Sequence, residues 1–154
     1  MGRNNKFNFS KFLVCLLITQ SAGIIGSFFT NSSVKTWYPL INKPSFTPPS
    51  WLFAPVWIFL FFLMAISLYL IWQKGKNIIF FWIQLFLNIL WSFCFFFLKN
   101  PSLAFIEILI LLLFILVSIF KSYKINKISA FLLLPYLIWV SFASFLNYHI
   151  AILN

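Results

Sequence analysis

The chain has 154 residues, of which 63% are hydrophobic, 23% are aromatic and only 8% are charged. Globular domains carry about a quarter of their residues as charged side chains, so this composition excludes a soluble domain. It predicts an all-α integral membrane protein, because backbone in lipid must satisfy its hydrogen bonds within its own segment.

The net charge of +10 rests on 11 basic residues against a single acid, Glu107. The basic residues stand singly or in small groups between apolar runs and form no face that could follow phosphates. We therefore exclude nucleic acid as a partner. Lysines in these positions are typical of the ends of membrane-spanning helices.

Five apolar runs approach or exceed the roughly 20 residues that a helix needs to cross a bilayer. The helices are expected at about Phe12–Phe29, Trp51–Trp72, Ile78–Leu98, Leu103–Phe120 and Ile128–Leu153. The connectors between them are Asn31–Ser50, Gln73–Asn77, Lys99–Ser102 and Lys121–Lys127. Since no internal repeat divides the chain, residues 1–154 are predicted to form a single bundle of five transmembrane helices.

The first run resembles a secretory signal, with basic residues before an apolar core and Ser21-Ala22-Gly23 after it. Apolar residues resume directly after this triplet, which favours a retained helix. Gly23 and Gly26, together with Ala22 and Thr30, offer small positions where another helix can approach closely. We expect these glycines to serve helix packing rather than ligand binding.

The segment Trp37–Trp57 contains five of the seven prolines and three of the seven tryptophans. Proline fixes φ and does not continue a helix, so a stiff, extended connection is expected here. Trp37, Tyr38 and Trp51 have the half-apolar rings that settle where lipid meets water. The segment predicts a structured loop at a membrane surface, and Pro55 suits the start of the next helix.

Positive charge is distributed unequally between the two ends of the predicted bundle. One end carries Arg3, Lys6, Lys11, Lys74, Lys76, Lys121, Lys124 and Lys127, whereas the other carries Lys35, Lys43 and Lys99. Connectors rich in Lys and Arg stay in the cytoplasm. The N-terminus is therefore predicted to be cytoplasmic and the proline-rich connector to lie on the opposite side.

Polar and aromatic side chains recur at helical spacing along three of the predicted helices. One face of the third helix holds Gln84, Asn88, Trp91, Ser92 and Phe95; one face of the fifth holds Pro135, Trp139, Ala143, Leu146 and Asn147; and one face of the second holds Trp57, Phe61, Met64 and Leu68. Amides avoid lipid, so Gln84 and Asn88 should point inward. Two interpretations stay open from spacing alone, an interhelical hydrogen bond or polar anchors within a cavity. Pro135 is expected to kink the fifth helix and to open space beside Trp139.

Side chains that could support acid–base or metal chemistry are sparse. Glu107 is the single acid, so paired-carboxylate catalysis is excluded, and we expect it to be a protonated or hydrogen-bonded group near the interface. His149 has no nucleophile or metal partner nearby in sequence. Cys15 and Cys94 lie within apolar runs and are expected to be buried packing residues. We therefore predict no metal site and no required cofactor.

Together these motifs resemble the TspO/MBR family, the tryptophan-rich sensory proteins that include the mitochondrial translocator protein. The resemblance covers nearly the whole chain. It is carried by Trp37-Tyr38, Lys43-Pro44, Pro48-Pro49, Trp51, Pro55-Val56-Trp57, Gln84-Leu85, Leu87-Asn88, Trp91-Ser92, Pro135-Tyr136-Leu137, Trp139, Phe142-Ala143 and Leu146-Asn147-Tyr148.

The resemblance implies five transmembrane helices, a homodimer, and a ligand cavity beneath the first connector. Family ligands are tetrapyrroles such as protoporphyrin and haem, sterols in mitochondrial members, and synthetic benzodiazepine- or isoquinoline-type compounds. Carried over by position, the ligand-binding residues are Tyr38, Pro48, Pro49, Trp57, Phe61, Asn88, Trp91, Trp139 and Ala143.

Four positions depart from the family pattern. Phe46 replaces a tryptophan, Phe61 replaces a common tyrosine and Ala65 replaces a glycine. In addition, Tyr148 is followed by no Lys or Arg, which the cholesterol-recognition pattern requires. This last departure argues against high-affinity sterol binding.

The leading hypothesis is a membrane receptor that stacks a flat apolar ligand of the porphyrin type on its tryptophans and orients it through Asn88. Lys43 or Lys35 is expected to meet a ligand propionate. One alternative is transport of tetrapyrroles or sterols across the bilayer. Another is light- or oxygen-dependent porphyrin degradation, with Trp57 and Trp139 as electron donors. A bacterial plasma membrane is the expected location, with the mitochondrial outer membrane as the alternative.

Overall fold

The computed structural model describes residues 7–76 and 79–154, and over these residues the chain is helical with no strand. The helices are α1 (Phe9–Thr36), α2 (Phe53–Trp72, preceded by a 3-10 turn at Ser50–Leu52), α3 (Ile79–Ser92, continued by a π-helix at Phe93–Phe97), α4 (Pro101–Ile125), α5 (Lys127–Leu132) and α6 (Leu134–Leu153). Five helical segments in this part of the chain are long and apolar enough to cross a membrane. The prediction of an all-α protein with five spans is therefore confirmed.

Two helices extend further than their apolar runs. Helix α1 continues seven residues past Phe29 to Thr36, and α4 continues through Lys121 to Ile125. The polar residues at the end of α1 satisfy their hydroxyls within the helix: Thr30 and Thr36 donate to the carbonyls of Gly26 and Ser32 at 2.9 and 2.8 Å. Hydropathy shows which residues lie in the lipid core, but a helix can continue beyond that core. The spans predicted from the apolar runs are therefore shorter than helices α1 and α4. The predicted start of α3 at Ile78, like Asn77, Arg3 and Lys6, lies outside the described residues.

The spans form a closed ring. Helix α1 packs against α2 and α3, α4 packs against α3, α5 and α6, and α2 packs against α5. Helix α2 therefore meets the last span through its α5 half. The large buried side chains of the interior include Met64, Leu68, Leu111, Ile115 and Tyr136.

A pair of serines joins α2 to α5 within this interior. The Ser67 hydroxyl donates to the carbonyl of Ser129 and the Ser129 hydroxyl donates to that of Ser67, both at 3.0 Å, with 2.7 Å between the hydroxyl oxygens. Both side chains are fully buried, with 0% of their surface exposed. The symmetric pair fixes the register of the two helices and satisfies four polar groups away from water.

The last span is interrupted at Leu133, next to the proline at which a kink was predicted. Helix α5 ends at Leu132, and α6 begins at Leu134 with Pro135 in its first turn. Proline has no N–H to donate to the carbonyl four residues earlier, so the helix cannot run through this point unbroken.

The end of α3 is also irregular. Five residues, Phe93–Phe97, form a π-helix that ends with Leu98 N–H donating to the Phe93 carbonyl at 2.9 Å. A π-helix adds a residue to the turn and is frequent at functional sites. The chain then reverses through Lys99, at φ 52°, and Asn100 caps α4 by accepting from Leu103 N–H at 3.0 Å.

Residues 37–49, between α1 and the 3-10 turn, form what we call the lid. Asn42 exchanges three hydrogen bonds with the end of α6: its N–H donates to Asn154 Oδ1 (2.9 Å), its amide to the Leu153 carbonyl (3.2 Å), and its carbonyl accepts from the Asn154 amide (3.0 Å). Further along, the Phe46 ring stacks on Phe145 at 5.3 Å and meets the edge of His149 at 5.2 Å. The lid is therefore held to the flank of α6.

Removing the Ser129 hydroxyl by Ser129→Ala should lower the free energy of unfolding by about 1 kcal/mol, since one buried interhelical hydrogen bond and the hydroxyl contact are lost. The control is Ser141→Ala, because Ser141 is exposed and donates within its own helix, to the Leu137 carbonyl at 2.8 Å. Unfolding in mixed micelles measures both variants. Equal stability of the two variants would contradict the role given to the serine pair.

Candidate functional site

A cavity of about 440 Å³ lies among α1, α2, α3 and α6, in the half of the bundle nearest the lid. Its lining comes from the second half of α1, the start of α2, the end of α3 with its π-helix, and the second half of α6. The space remains because α2 is held against α5 at the other end, while the α2–α6 and α1–α6 pairs are not among the extensively packed pairs of the described chain. A volume of this size is in the range of small-molecule sites.

The cavity is bounded at its inner end where α1 and α2 approach closely. A Cβ atom built on Gly23 would come within 2.8 Å of the Phe61 ring, so only glycine permits this contact without a shift. At the same level the Gln20 amide donates to the Ile58 carbonyl at 3.2 Å. Gly26 lies against Ser92 of α3, at 3.2 Å from a built Cβ to the hydroxyl. Both glycines therefore lie where another helix approaches closely, as predicted, but both also line the cavity, so the prediction that they serve packing rather than binding stays untested.

Aromatic rings form two walls of the cavity. On α2, Trp57 and Phe61 stack with their centroids 5.6 Å apart and their planes at 29°. On α3, Trp91 and Phe95 stack at 5.2 Å and 24°. All four rings line the cavity, as does Phe96 from the π-helix. Flat apolar molecules pack well against such surfaces, because ring contacts add to the free energy of burial.

Two asparagines of the lining are held by hydrogen bonds to neighbouring helices. The Asn88 amide donates to the Tyr136 hydroxyl at 3.0 Å, which leaves Asn88 Oδ1 as an acceptor without a partner among the described residues. Asn147 accepts from Trp91 Nε1 at 3.0 Å and donates to the Pro101 carbonyl at 2.7 Å. Asn147 therefore joins α6 to α3 and α4, and it fixes the Trp91 ring.

The lining also contains side chains that are exposed at the protein surface. Ile24 of α1 is 58% exposed and Ile58 of α2 is 61% exposed, yet both border the cavity. The cavity therefore opens sideways between α1 and α2. Lys35, on the last turn of α1, borders this opening and is the one charged residue among the described lining residues.

Tyr38 closes the lining where the lid begins. Its ring is buried against Phe95 and Phe96, and burial raises the pKa of its hydroxyl to about 12. The Lys43 ammonium lies 4.9 Å from the centre of this ring and donates to the carbonyls of Tyr38 (2.6 Å) and Ile41 (3.0 Å). Lys43 thus holds the lid, and of the two lysines predicted to meet a propionate only Lys35 borders the cavity.

Six of the nine predicted site residues line the cavity: Tyr38, Trp57, Phe61, Asn88, Trp91 and Ala143. Pro48, Pro49 and Trp139 do not. The two prolines lie between Phe46 and the 3-10 turn at Ser50–Leu52. Trp139 lies one turn before Ala143, where its ring meets the edge of Phe53, a lining residue, at 6.0 Å. Its Nε1 is buried without a hydrogen-bond partner among the described residues.

Most of the contribution of α1 to the cavity was not predicted. Helix α1 supplies lining residues from Gln20 to Lys35, and of these only Lys35 was predicted to contact a ligand. The signal was present, since Gly23, Gly26 and Thr30 follow a helical spacing, but small residues equally indicate packing. Phe96 was missed for a different reason: the π-helix shifts its position around the axis away from that of a regular helix.

Two further polar residues of the interior lie outside the lining. Gln84 is 1% exposed and Glu107 is 6% exposed. In the described part of the chain, neither the Gln84 amide nor the Glu107 carboxyl has a hydrogen-bond partner. The hydrogen bond considered for Glu107 is therefore not formed among these residues, and its protonation stays a prediction.

The fold and the site together define a multi-pass helical membrane protein with an aromatic cavity between its helices. The sequence profile of the TspO/MBR family matches residues 14–153, and the chain belongs to this family. It is 44% identical over 152 residues to the tryptophan-rich protein TspO of Archaeoglobus fulgidus, covering 96% of this chain and 99% of the relative. It is 32% identical to the tryptophan-rich sensory protein of Cereibacter sphaeroides (77% of each chain) and 31% identical to the translocator protein of Homo sapiens (80% of this chain and 78% of the relative).

Replacing the bridging amide by Asn147→Ala should lower the free energy of unfolding by about 2 kcal/mol, because the Trp91 indole N–H and the Pro101 carbonyl both lose their partner. Asn31→Ala serves as the matched control, since Asn31 also borders the cavity but is exposed. Unfolding in mixed micelles gives both values. A loss no larger than that of the control would show that Asn147 does not hold the three helices together.

Proposed function

We propose that this protein binds a flat, largely apolar ligand of the tetrapyrrole class in the cavity among α1, α2, α3 and α6. The observation that carries the proposal is the pair of stacked aromatic walls, Trp57–Phe61 and Trp91–Phe95, that face one cavity of about 440 Å³. Each favourable ring contact contributes about 0.5–1.5 kcal/mol beyond simple burial. Two walls favour a planar ligand over a flexible chain.

The polar groups of the site can bind the two kinds of polar group in such a ligand, the pyrrole N–H groups at its centre and the propionates at its edge. Asn88 Oδ1, held in place by the bond from its amide to Tyr136, is an acceptor for a pyrrole N–H. Lys35, at the opening between α1 and α2, is placed to meet a propionate that extends out of the cavity. Carboxylates that remain near the membrane surface avoid the desolvation that full burial would require.

The role of receptor is favoured over that of driven transporter, because the described residues hold one cavity of this kind and no group of acidic or histidine side chains that could bind a coupling ion. Assembly as a homodimer and a cytoplasmic N-terminus remain part of the proposal. They rest on the family resemblance and on the charge bias.

Filling the cavity by Ala143→Leu should weaken protoporphyrin binding at least about tenfold, since the added methyl groups occupy the space beside the aromatic walls. Binding is measured by the quenching of tryptophan fluorescence in detergent. The matched control is Ala151→Leu, the same substitution on the same helix, because Ala151 is half-buried and outside the lining. If protoporphyrin quenches the tryptophan fluorescence of both variants and of the parent protein equally, the ligand does not bind in this cavity.

The role of Lys35 is tested by changing the ligand. Lys35→Gln should weaken binding of protoporphyrin about two- to fivefold, the size expected of a solvent-exposed ion pair. Binding of the dimethyl ester, which has no carboxylates, should be unaffected. If both ligands lose affinity equally, Lys35 acts through the shape of the opening rather than through charge.

A further inference from the structure

A second cavity lies at the opposite end of the bundle, between the first turn of α3 and the last two turns of α4. Its volume is about 340 Å³. The walls are apolar (Ile79, Phe80, Phe81 and Ile125), whereas Lys121 and Lys124 are exposed at its rim. None of these residues belongs to the ligand cavity described above.

Two serines extend this polar rim inward. Ser122 and Ser118 lie one turn apart on α4, and both line the cavity. Ser118 is seven residues from the end of α4, which places it about 10 Å below the helix end at 1.5 Å per residue. Its side chain is 3% exposed, and its hydroxyl has no hydrogen-bond partner in residues 7–76 and 79–154. A buried hydroxyl without a partner is costly, so this position indicates a ligand with an acceptor oxygen.

The lysines of this end cannot be neutralised from within the chain. The sequence contains a single acid, Glu107, and it is buried elsewhere on α4. Several of the lysines lie over aromatic rings instead: Lys121 over Phe80 at 5.6 Å, Lys127 over Tyr123 at 5.5 Å and Lys11 over Trp72 at 5.8 Å. Their counter-charge must come from outside the protein.

We infer that the cavity between α3 and α4 binds the headgroup of an anionic phospholipid. The phosphate meets Lys121 and Lys124 at the rim, Ser122 and Ser118 donate to the phosphate and to a glycerol-ester oxygen below it, and the start of an acyl chain lies against Phe80 and Phe81. The order of cation, hydroxyl and apolar wall along the cavity matches the order of phosphate, ester and chain in a phospholipid. Basic pockets between spans at the cytoplasmic surface bind such headgroups, and this is the end that the charge bias assigns to the cytoplasm.

The test is lipid binding to the full chain by native mass spectrometry, with phosphatidylglycerol compared with phosphatidylcholine of the same acyl chains. Each lysine near a membrane surface contributes a free energy that corresponds to about a fivefold change in affinity. Lys121→Gln with Lys124→Gln should therefore weaken phosphatidylglycerol binding about thirtyfold and leave phosphatidylcholine binding unchanged. The matched control is Lys74→Gln with Lys76→Gln, because both lysines are exposed at the same end and outside the lining.

The Ser118→Ala variant distinguishes a serine that binds lipid from a serine that only stabilises the fold. Because the hydroxyl has no partner in the lipid-free protein, its removal should raise the unfolding temperature in lipid-free detergent, while phosphatidylglycerol affinity falls about three- to tenfold. Equal binding of the two lipids, equal losses in the two lysine pairs, or a Ser118→Ala variant that is destabilised without added lipid would each overturn the inference. Displacement of phosphatidylglycerol by millimolar inorganic phosphate would likewise overturn it, since the site would then take a free anion rather than a lipid.

Discussion

The close approach of α1 and α2 at Gly23 and Phe61 lies between two halves of the interior that are packed differently. Toward α5 from this contact, α2 is held by the Ser67–Ser129 pair and the interior is filled by Met64, Leu68 and Tyr136. Toward the lid, α2 has no comparable attachment to α6, so a cavity remains. In lipid, where helices gain little from hydrophobic burial against one another, such close contacts and polar pairs decide where helices meet. Gly23, Ser67 and Ser129 therefore contribute to the position of the cavity as much as the tryptophans that line it.

Several polar side chains in this protein connect one span to another. Asn147 links α6 to α3 and α4, Asn88 links α3 to α6, and Ser33 donates to the Phe96 carbonyl at 2.7 Å, which ties α1 to the π-helix. The two interpretations left open for the amide face of α3, interhelical bonding or a polar anchor, are thus compatible. Asn88 lines the cavity and uses its amide nitrogen for the bond, which leaves its oxygen without a partner among the described residues. Gln84, one turn deeper, neither forms such a bond in the described chain nor lines the cavity.

The five spans were predictable from hydropathy, because each contains an apolar run close to the thickness of the bilayer. The face of Trp57 and Phe61 and the break at Pro135 followed from helical spacing and from the missing proline N–H. Trp139 shows a limit of prediction from helical spacing. Its spacing from Ala143 places both residues on one face of the helix, but does not show which of them lines the cavity. That depends on long-range contacts, such as the packing of Trp139 against Phe53. Hydropathy likewise could not show that α1 continues to Thr36, because the residues after the apolar run are largely polar.

Because the cavity opens sideways between Ile24 and Ile58, the concentration that matters for the proposed site is that of the ligand dissolved in the membrane. A ligand that enters from the bilayer is in equilibrium with its dissolved fraction in lipid, and planar apolar molecules partition strongly into that phase. Occupancy then follows the mole fraction of ligand in the membrane rather than its molarity in water. For the proposed ligand, we therefore expect that diluting the protein with lipid at constant ligand empties the site, although no contact within the protein changes.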